Sequence, residues 1–233
     1  MSMASNSNSQ TYLIFKYIFK SRKHILEMLE DRGFNVDELK NYTQQEMMSM
    51  VQANQMNKFE MNGQKGPLDI HLTKKSGESI FVKYRLEDKF KKTENLNTQI
   101  NEIYTNHLKK DDTLVILNIS RVCIKPGVKD KTDEEYVKSL YVTKGYFVQF
   151  FGLENFLFNV SRHVFIGKHT VLDKTETIEM MKRFNVSNLK NLPVIKRFDE
   201  QAKYIGLRPK QVCKIEYTNP TTGNNIKYRI CMN

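Results

Sequence analysis

The chain reads as two mixed α/β and α+β domains: a mixed α/β N-terminal domain over 11–160 and a small two-layer α/β domain over 161–233, behind a disordered tail, 1–10. Three observations predict this. At 233 residues and 39% apolar content, the chain is long for one core and comfortable for two. Up to residue 160, helical and strand periodicities alternate as helix, paired strands, helix, strand, helix, strand, an order typical of mixed α/β folds. Beyond His163 the elements shorten, the charge turns strongly basic, and the segment closes with a capped short helix and a hairpin pattern.

Residues Met1 to Gln10 are Ser- and Asn-rich and offer little to bury, so they are expected to be disordered. From Tyr12 the pattern is helical. Ile18, Ile25, Leu26, Met28 and Leu29 form an apolar stripe that runs to Arg32, with Gly33 as the stop. Thr43-x-x-Glu46 is a capping box ahead of Met47, Met48, Met50 and Val51, and methionines at helical spacing read as core packing. Lys58 to Pro67 reads as a loop. Leu68 to Leu72 and Ser79 to Leu86 read as strands joined through Gly77. Glu94 to Leu108 spaces Leu96, Ile100, Ile103, Tyr104 and His107 along one helical face. Thr113 to Ile119 is a compact β-branched run of the kind buried on both faces of a sheet. Ser120 to Lys131 is loop-like and basic, Asp133 to Tyr141 is helical, and Tyr146 to Val160 is an aromatic-rich strand that closes the first domain.

The second domain opens with a short strand, Val164 to Ile166. Asp173-x-x-Glu176 then caps a helix whose stripe is Ile178, Met181 and Phe184, and Leu189 and Leu192 follow as core contacts. Asp199 precedes a turn and a half of helix, Glu200 to Ile205, with Gly206 as its left-handed stop and Pro209 blocking resumption. In the hairpin, Gln211 to Tyr217 places Cys213, Ile215 and Tyr217 on one face. Asn225 to Cys231 places Ile226, Tyr228 and Ile230 against Lys227, Arg229 and Cys231, and Gly223 supplies the turn's positive φ.

Composition narrows the chemistry. The charge is +11, of which +7 lies in His163 to Asn233, and a basic balance favours polyanions or acidic protein surfaces. Cys123, Cys213 and Cys231 lie far apart, so they form neither a disulfide framework nor a zinc cluster and imply a reducing compartment. His24, His71, His107, His163 and His169 are scattered and read as surface or capping side chains. No stretch reaches the roughly 18 apolar residues of a membrane span, and no secretory signal is visible, so a soluble intracellular protein is expected. Nothing after His163 sets a nucleophile beside a base, cradles a phosphate or groups metal ligands.

The order of the C-terminal residues is more specific than their secondary structure requires. Leu192-Pro193-x-Ile195-x-Arg197-x-Asp199-x-x-Ala202-x-Tyr204-x-Gly206-Leu207, then Val212-x-Lys214-Ile215, Gly223 and Tyr228-Arg229-Ile230-Cys231-Met232 stand in a fixed sequence. This segment resembles the C-terminal domain of the fifth-largest subunit shared by the eukaryotic nuclear RNA polymerases, a family with a counterpart in the archaeal RNA polymerase. His163-x-x-x-x-Lys168-His169 is similar to that family's His-x-x-x-Pro-Lys-His approach, with Gly167 standing for the proline. Upstream, Asp31-Arg32-Gly33-Phe34, Met47-Met48-Ser49-Met50 and Gln52-Ala53-Asn54 are similar to the eukaryotic form's N-terminal part. Asn and Lys richness and the insertion-like stretch Cys123 to Tyr146 suggest a diverged lineage, such as a large DNA virus with its own cytoplasmic polymerase. A cellular subunit fits the C-terminus equally well.

The resemblance implies a non-catalytic polymerase subunit without cofactor or metal. Its C-terminal domain would dock on the largest subunit, and its first domain, a jaw with a restriction-endonuclease-like core, would lie near downstream duplex DNA. Assembly roles carry over to Lys168, His169, Arg197, Tyr204, Arg208 and Arg229 as exposed or cap-forming positions. Arg121, Lys125 and Lys129 are the expected DNA-proximal residues, through backbone contacts that read no sequence. A metal-dependent nuclease of that core needs two acids and a lysine. Asp69 and Lys83 supply one acid and the lysine, but Phe81 stands where the second acid belongs, so catalysis is not expected. The alternative is a free-standing DNA-binding or degenerate nuclease-like protein.

Overall fold

A computed structural model describes residues 3–56, 65–85, 93–118, 131–219 and 223–233. The chain divides into two units, Met1–Phe158 and Asn159–Asn233. In the first unit, helix α1 (Met3–Asp31) is followed by α2 (Gln44–Met56), strands β1 (Ile70–Thr73) and β2 (Ser79–Arg85), α3 (Thr93–Asn106), β3 (Thr113–Asn118), α4 (Lys131–Lys144) and β4 (Phe147–Gly152). The sheet runs β1-β2-β3-β4, with β1 antiparallel to β2 and the other two pairings parallel.

Alternation across the pleat assigns the two faces. Phe81, Leu114, Ile116 and Val148 join Leu96, Ile100, Ile103 and Tyr104 of α3 and Leu140 of α4 in one apolar cluster. On the opposite face lies α1: the Arg22 guanidinium stands 6.0 Å from the Tyr84 ring centroid, and Arg32 Nη2 donates to Gln149 Oε1 at 2.9 Å. The sheet is thus covered on both sides, and all six residues of β3 are buried, as its β-branched run predicts.

Several starts and stops follow the sequence cues. Gly33 (φ +86°) ends α1. The Thr43 box forms reciprocally, with Thr43 N donating to Glu46 Oε2 at 2.7 Å and Glu46 N to Thr43 Oγ1 at 3.3 Å. Two expectations are corrected. Helix α1 begins at Met3, ahead of Tyr12, where the apolar stripe sets in, so helix covers most of 1–10. Extending an existing helix costs far less than nucleating one, so polar residues can follow a packed stripe. The strand expected over Tyr146 to Val160 stops at Gly152, and a 3-10 helix, Leu153–Phe156, follows. In a 3-10 helix positions i and i+3 eclipse, which lets Leu153 and Phe156 both turn into the core.

The second unit is built on a sheet ordered β5-β7-β8-β6. It comprises β5 (Lys168–Val171), α5 (Lys174–Arg183), β6 (Val194–Lys196), α6 (Glu200–Tyr204), β7 (Val212–Asn219) and β8 (Gly223–Met232). The hairpin β7–β8 forms the centre, β5 flanks it antiparallel and β6 parallel. Register places Val212 opposite Ile230 and Lys214 opposite Tyr228, while Cys213 faces Arg229 and Ile215 faces Lys227. Cross-strand partners share a face, so the Cys213, Ile215, Tyr217 row of β7 and the Ile226, Tyr228, Ile230 row of β8 point to opposite sides. One side packs Cys213, Ile215 and Cys231 with Ile195, Ala202 and Leu207, and the other packs Val212 with Leu172 and Met180. Helices α6 and α5 therefore cover opposite faces, a layer more than two-layer packing provides. Cys231, grouped with Lys227 and Arg229 by alternation, is fully buried beneath α6.

Two further expectations change here. Strand β5 starts at Lys168, not Val164, because Ile166 N donates to His163 O at 2.9 Å and holds His163–Ile166 as a turn. On α5 the burial centres on Met180 with Met181 partly buried beside it, whereas Ile178 and Phe184 of the expected stripe are each 53% exposed. Leu172 and Val212 offer a site that Met180 fills, which sets the helix's rotation.

Candidate functional site

The local folding of unit 2 begins with its caps. Asp173 Oδ1 accepts from Glu176 N at 2.7 Å while Glu176 Oε2 accepts from Asp173 N at 2.9 Å, starting α5. Asp199 Oδ1 accepts from Gln201 N at 3.0 Å and Ala202 N at 3.2 Å, starting α6, and Gly206 (φ +72°) ends it.

These caps position the six assembly residues unequally. Lys168 is exposed at the start of edge strand β5, opposite Glu216. His169 is half-buried and its Nδ1 lies 2.7 Å from Gly167 O. Burial pushes its pKa below the ordinary histidine value, Gly167 and Asp199 oppose that, and Arg229 adds to it. His169, Asp199 and Arg229 thus share one electrostatic neighbourhood. Arg229 Nη1 donates to Val194 O at 3.0 Å, tying β8 to β6. Tyr204 OH accepts from Asn159 Nδ2 at 3.1 Å, and Ser161 Oγ donates to Gln201 Oε1 at 2.9 Å, so α6 is fastened to the unit's first residues. The half-buried Arg208 donates its backbone N–H to Gln211 Oε1 at 2.8 Å.

Arg197 departs from the expected exposure. It is 2% exposed, its N–H donates to Met232 O at 2.9 Å, and its guanidinium lies 5.8 Å from the Phe198 ring centroid. It follows edge strand β6 directly and is almost wholly buried, so it belongs to the unit's interior rather than its surface. Arg121, Lys125 and Lys129 lie outside the described residues.

Gly167 is a residue whose role sequence reasoning missed. A Cβ there would meet Glu216 O, Ile215 Cγ2 and Tyr217 Cδ1, each at 2.9 Å. The approach is fixed by close backbone packing onto β7 where the related pattern has proline. The glycine at that motif position was the available signal.

In unit 1, Asp69 and Lys83 are joined as a buried ion pair. Lys83 Nζ donates to Asp69 Oδ2 at 2.8 Å, and the carboxylate also accepts from Gly66 N at 2.7 Å and Tyr84 N at 2.9 Å. That acid is committed to its own fold, and Phe81 packs with α3 and α4. Among the described residues no group of three or more His, Cys, Asp or Glu is placed to hold a metal ion. Burial pushes the Cys213 and Cys231 thiols up to about 11, which keeps both protonated and unreactive near neutral pH. No helix among the described residues is long and apolar enough to cross a membrane.

Comparison with known proteins singles out the same unit. Residues 158–231 match the family model of RNA polymerase Rpb5, C-terminal domain. The chain is 34% identical over 82 residues to the Arabidopsis thaliana DNA-directed RNA polymerases IV and V subunit 5B, covering 35% of this chain and 37% of that protein. It is 29% identical over 94 residues to the Arabidopsis thaliana DNA-directed RNA polymerase V subunit 5C, covering 40% of each. It is 36% identical over 76 residues to the Dictyostelium discoideum DNA-directed RNA polymerases I, II, and III subunit rpabc1, covering 33% of this chain and 38% of that protein. The matched region thus spans about two-fifths of these relatives' length. The C-terminal unit is homologous to the C-terminal domain of the Rpb5 family of RNA polymerase subunits.

Proposed function

We propose that the chain is a non-catalytic subunit of a multisubunit DNA-directed RNA polymerase, docked through unit 2 on the largest subunit. The observation that carries this reading is the family match over 158–231, which coincides with a compact unit of the fold. In support, the acid of unit 1 best placed for chemistry is consumed by Lys83 and two backbone amides. Unit 1 serves as a lower jaw beside downstream DNA, with contacts that are electrostatic and sequence-independent and involve Arg121, Lys125 and Lys129. The +11 charge supports such contacts, which weaken as salt rises. The compartment follows the polymerase: the nucleus for a cell-encoded chain, the cytoplasm and virion for a viral one.

The test is a mass-spectrometric inventory of proteins recovered with the tagged chain from its source cells. Stoichiometric recovery of the large polymerase subunits is expected, reduced by the exposed substitution Lys168→Glu. Recovery of the chain alone would remove the reading. The Asp69–Lys83 pair favours a second reading, a degenerate nuclease-like DNA-binding protein. Tight binding of DNA by the isolated chain, falling steeply as salt rises and with no large polymerase subunit recovered beside it, would establish it.

A further inference from the structure

The turn His163–Ile166 carries the two most exposed large apolar side chains among the described residues, Val164 at 88% and Phe165 at 85%. By composition Val-Phe-Ile is a strand, and strands bury alternate residues, yet only Ile166 is partly covered here. The tip is also held rigidly. Ile166 N donates to His163 O at 2.9 Å, Phe165 N to His163 Nδ1 at 3.3 Å, and the His163 and Phe165 rings lie 5.5 Å apart. Immediately behind it Gly167 is pressed against β7, with no room for a Cβ.

A preorganised pair of outward apolar side chains loses little conformational freedom on burial, which is the property of an interface anchor. Its surroundings give the partner's charge. Arg162 and Lys168 flank the tip and are exposed, no carboxylate occurs between Asn159 and Leu172, and Glu216, opposite Lys168, is paired with Lys214 at 2.6 Å. Two side chains are too small an apolar surface to hold a membrane. Val164 has no π-face for a base, and Phe165 already leans on His163.

We propose that the Val164–Phe165 tip is an anchor that inserts into an apolar socket with an acidic rim on the largest polymerase subunit. This rests on the assembly reading above and assigns it a contact point. In the test, tagged full-length chains carrying wild-type sequence, Val164→Ser with Phe165→Ser, Phe165→Leu, or Val142→Ser are expressed in the source cells. The largest subunit recovered per unit of bait is then quantified. The double variant is expected to lose at least about 10-fold, as for an interface hot spot. Phe165→Leu, which keeps an apolar anchor, retains recovery. Val142→Ser, 76% exposed on α4, is expected to leave it unchanged. Urea midpoints confirm that each variant is folded, and Phe165→Thr alone serves as the readout should the double variant fold poorly. A folded double variant, or a folded Phe165→Thr, that recovers as much largest subunit as wild type overturns the proposal while leaving the assembly reading standing. Absence of the largest subunit from the wild-type sample overturns the assembly reading itself, and the anchor with it. Loss of DNA binding with subunit recovery intact also overturns the anchor.

Discussion

At the scale of single residues, backbone packing and buried charge set the strongest expectations. Gly167→Ala places a methyl group within 2.9 Å of the Glu216 carbonyl, an atom that cannot swing away. Overpacking of this kind costs about 1–3 kcal/mol, so the urea midpoint of unit 2 should fall accordingly. Asp69→Ala leaves the Lys83 ammonium buried without its carboxylate, a loss of roughly 3–5 kcal/mol in unit 1 by denaturant melts, part of which Asp69→Ala with Lys83→Met should restore. Residue roles were legible in the sequence where they depend on near neighbours. Asp173, Asp199, Gly33 and Gly206 all act within four positions of themselves. Arg197 was not legible, because its burial depends on the chain's return through β8.

Elements were readable where a period was long and clean. The stripe of α1 and the α3 face from Leu96 to Tyr104 both pack as spaced, and β3 is buried throughout. Short elements misled for a physical reason. In α5 the few apolar positions define no clean row, and the site between Leu172 and Val212 draws in Met180 and Met181 and leaves Ile178 outside. In the hairpin each strand alternates correctly, but pairing register alone decides whether the two apolar rows meet on one face or separate. The packing of His71 on β1 against His107, just past the end of α3, also gives a pH dependence. His71 has its pKa pushed down, first by burial and then by His107 and Lys65, with Asp112 opposing. The fold therefore holds the neutral ring. The unfolded chain takes up the proton as pH falls through about 6.5, while the folded chain does so only at lower pH. This contribution is present in full above that value and is lost below it. Urea midpoints of unit 1 should be higher at pH 7.5 than at pH 5.5, and His71→Phe should narrow the difference.

For the whole molecule, the two units differ in how they can be tested. Removing Gln211 to Met232 takes away both central strands of the second sheet, so that truncation should unfold unit 2 as well as end any association. Loss of the cooperative transition of unit 2 by calorimetry, with that of unit 1 preserved, is the expected result, and it makes exposed point substitutions the cleaner probe of docking. Unit 2 was the more legible half because its identifying residues are turns, caps and strand ends in one order, whereas the basic stretch after β3 has no such local grammar. The arrangement of β6 bears on kinetics. The β7–β8 ribbon pairs Asn219 with Gly223, four positions apart in the chain, and zips from such neighbours, but β6 is joined to β8 only after the polypeptide has travelled through α6 and back. Refolding of this unit should therefore wait on that distant closure. Lengthening the connection after Lys196 would slow the approach to the native state, whereas weakening β6 itself would mainly hasten escape from it.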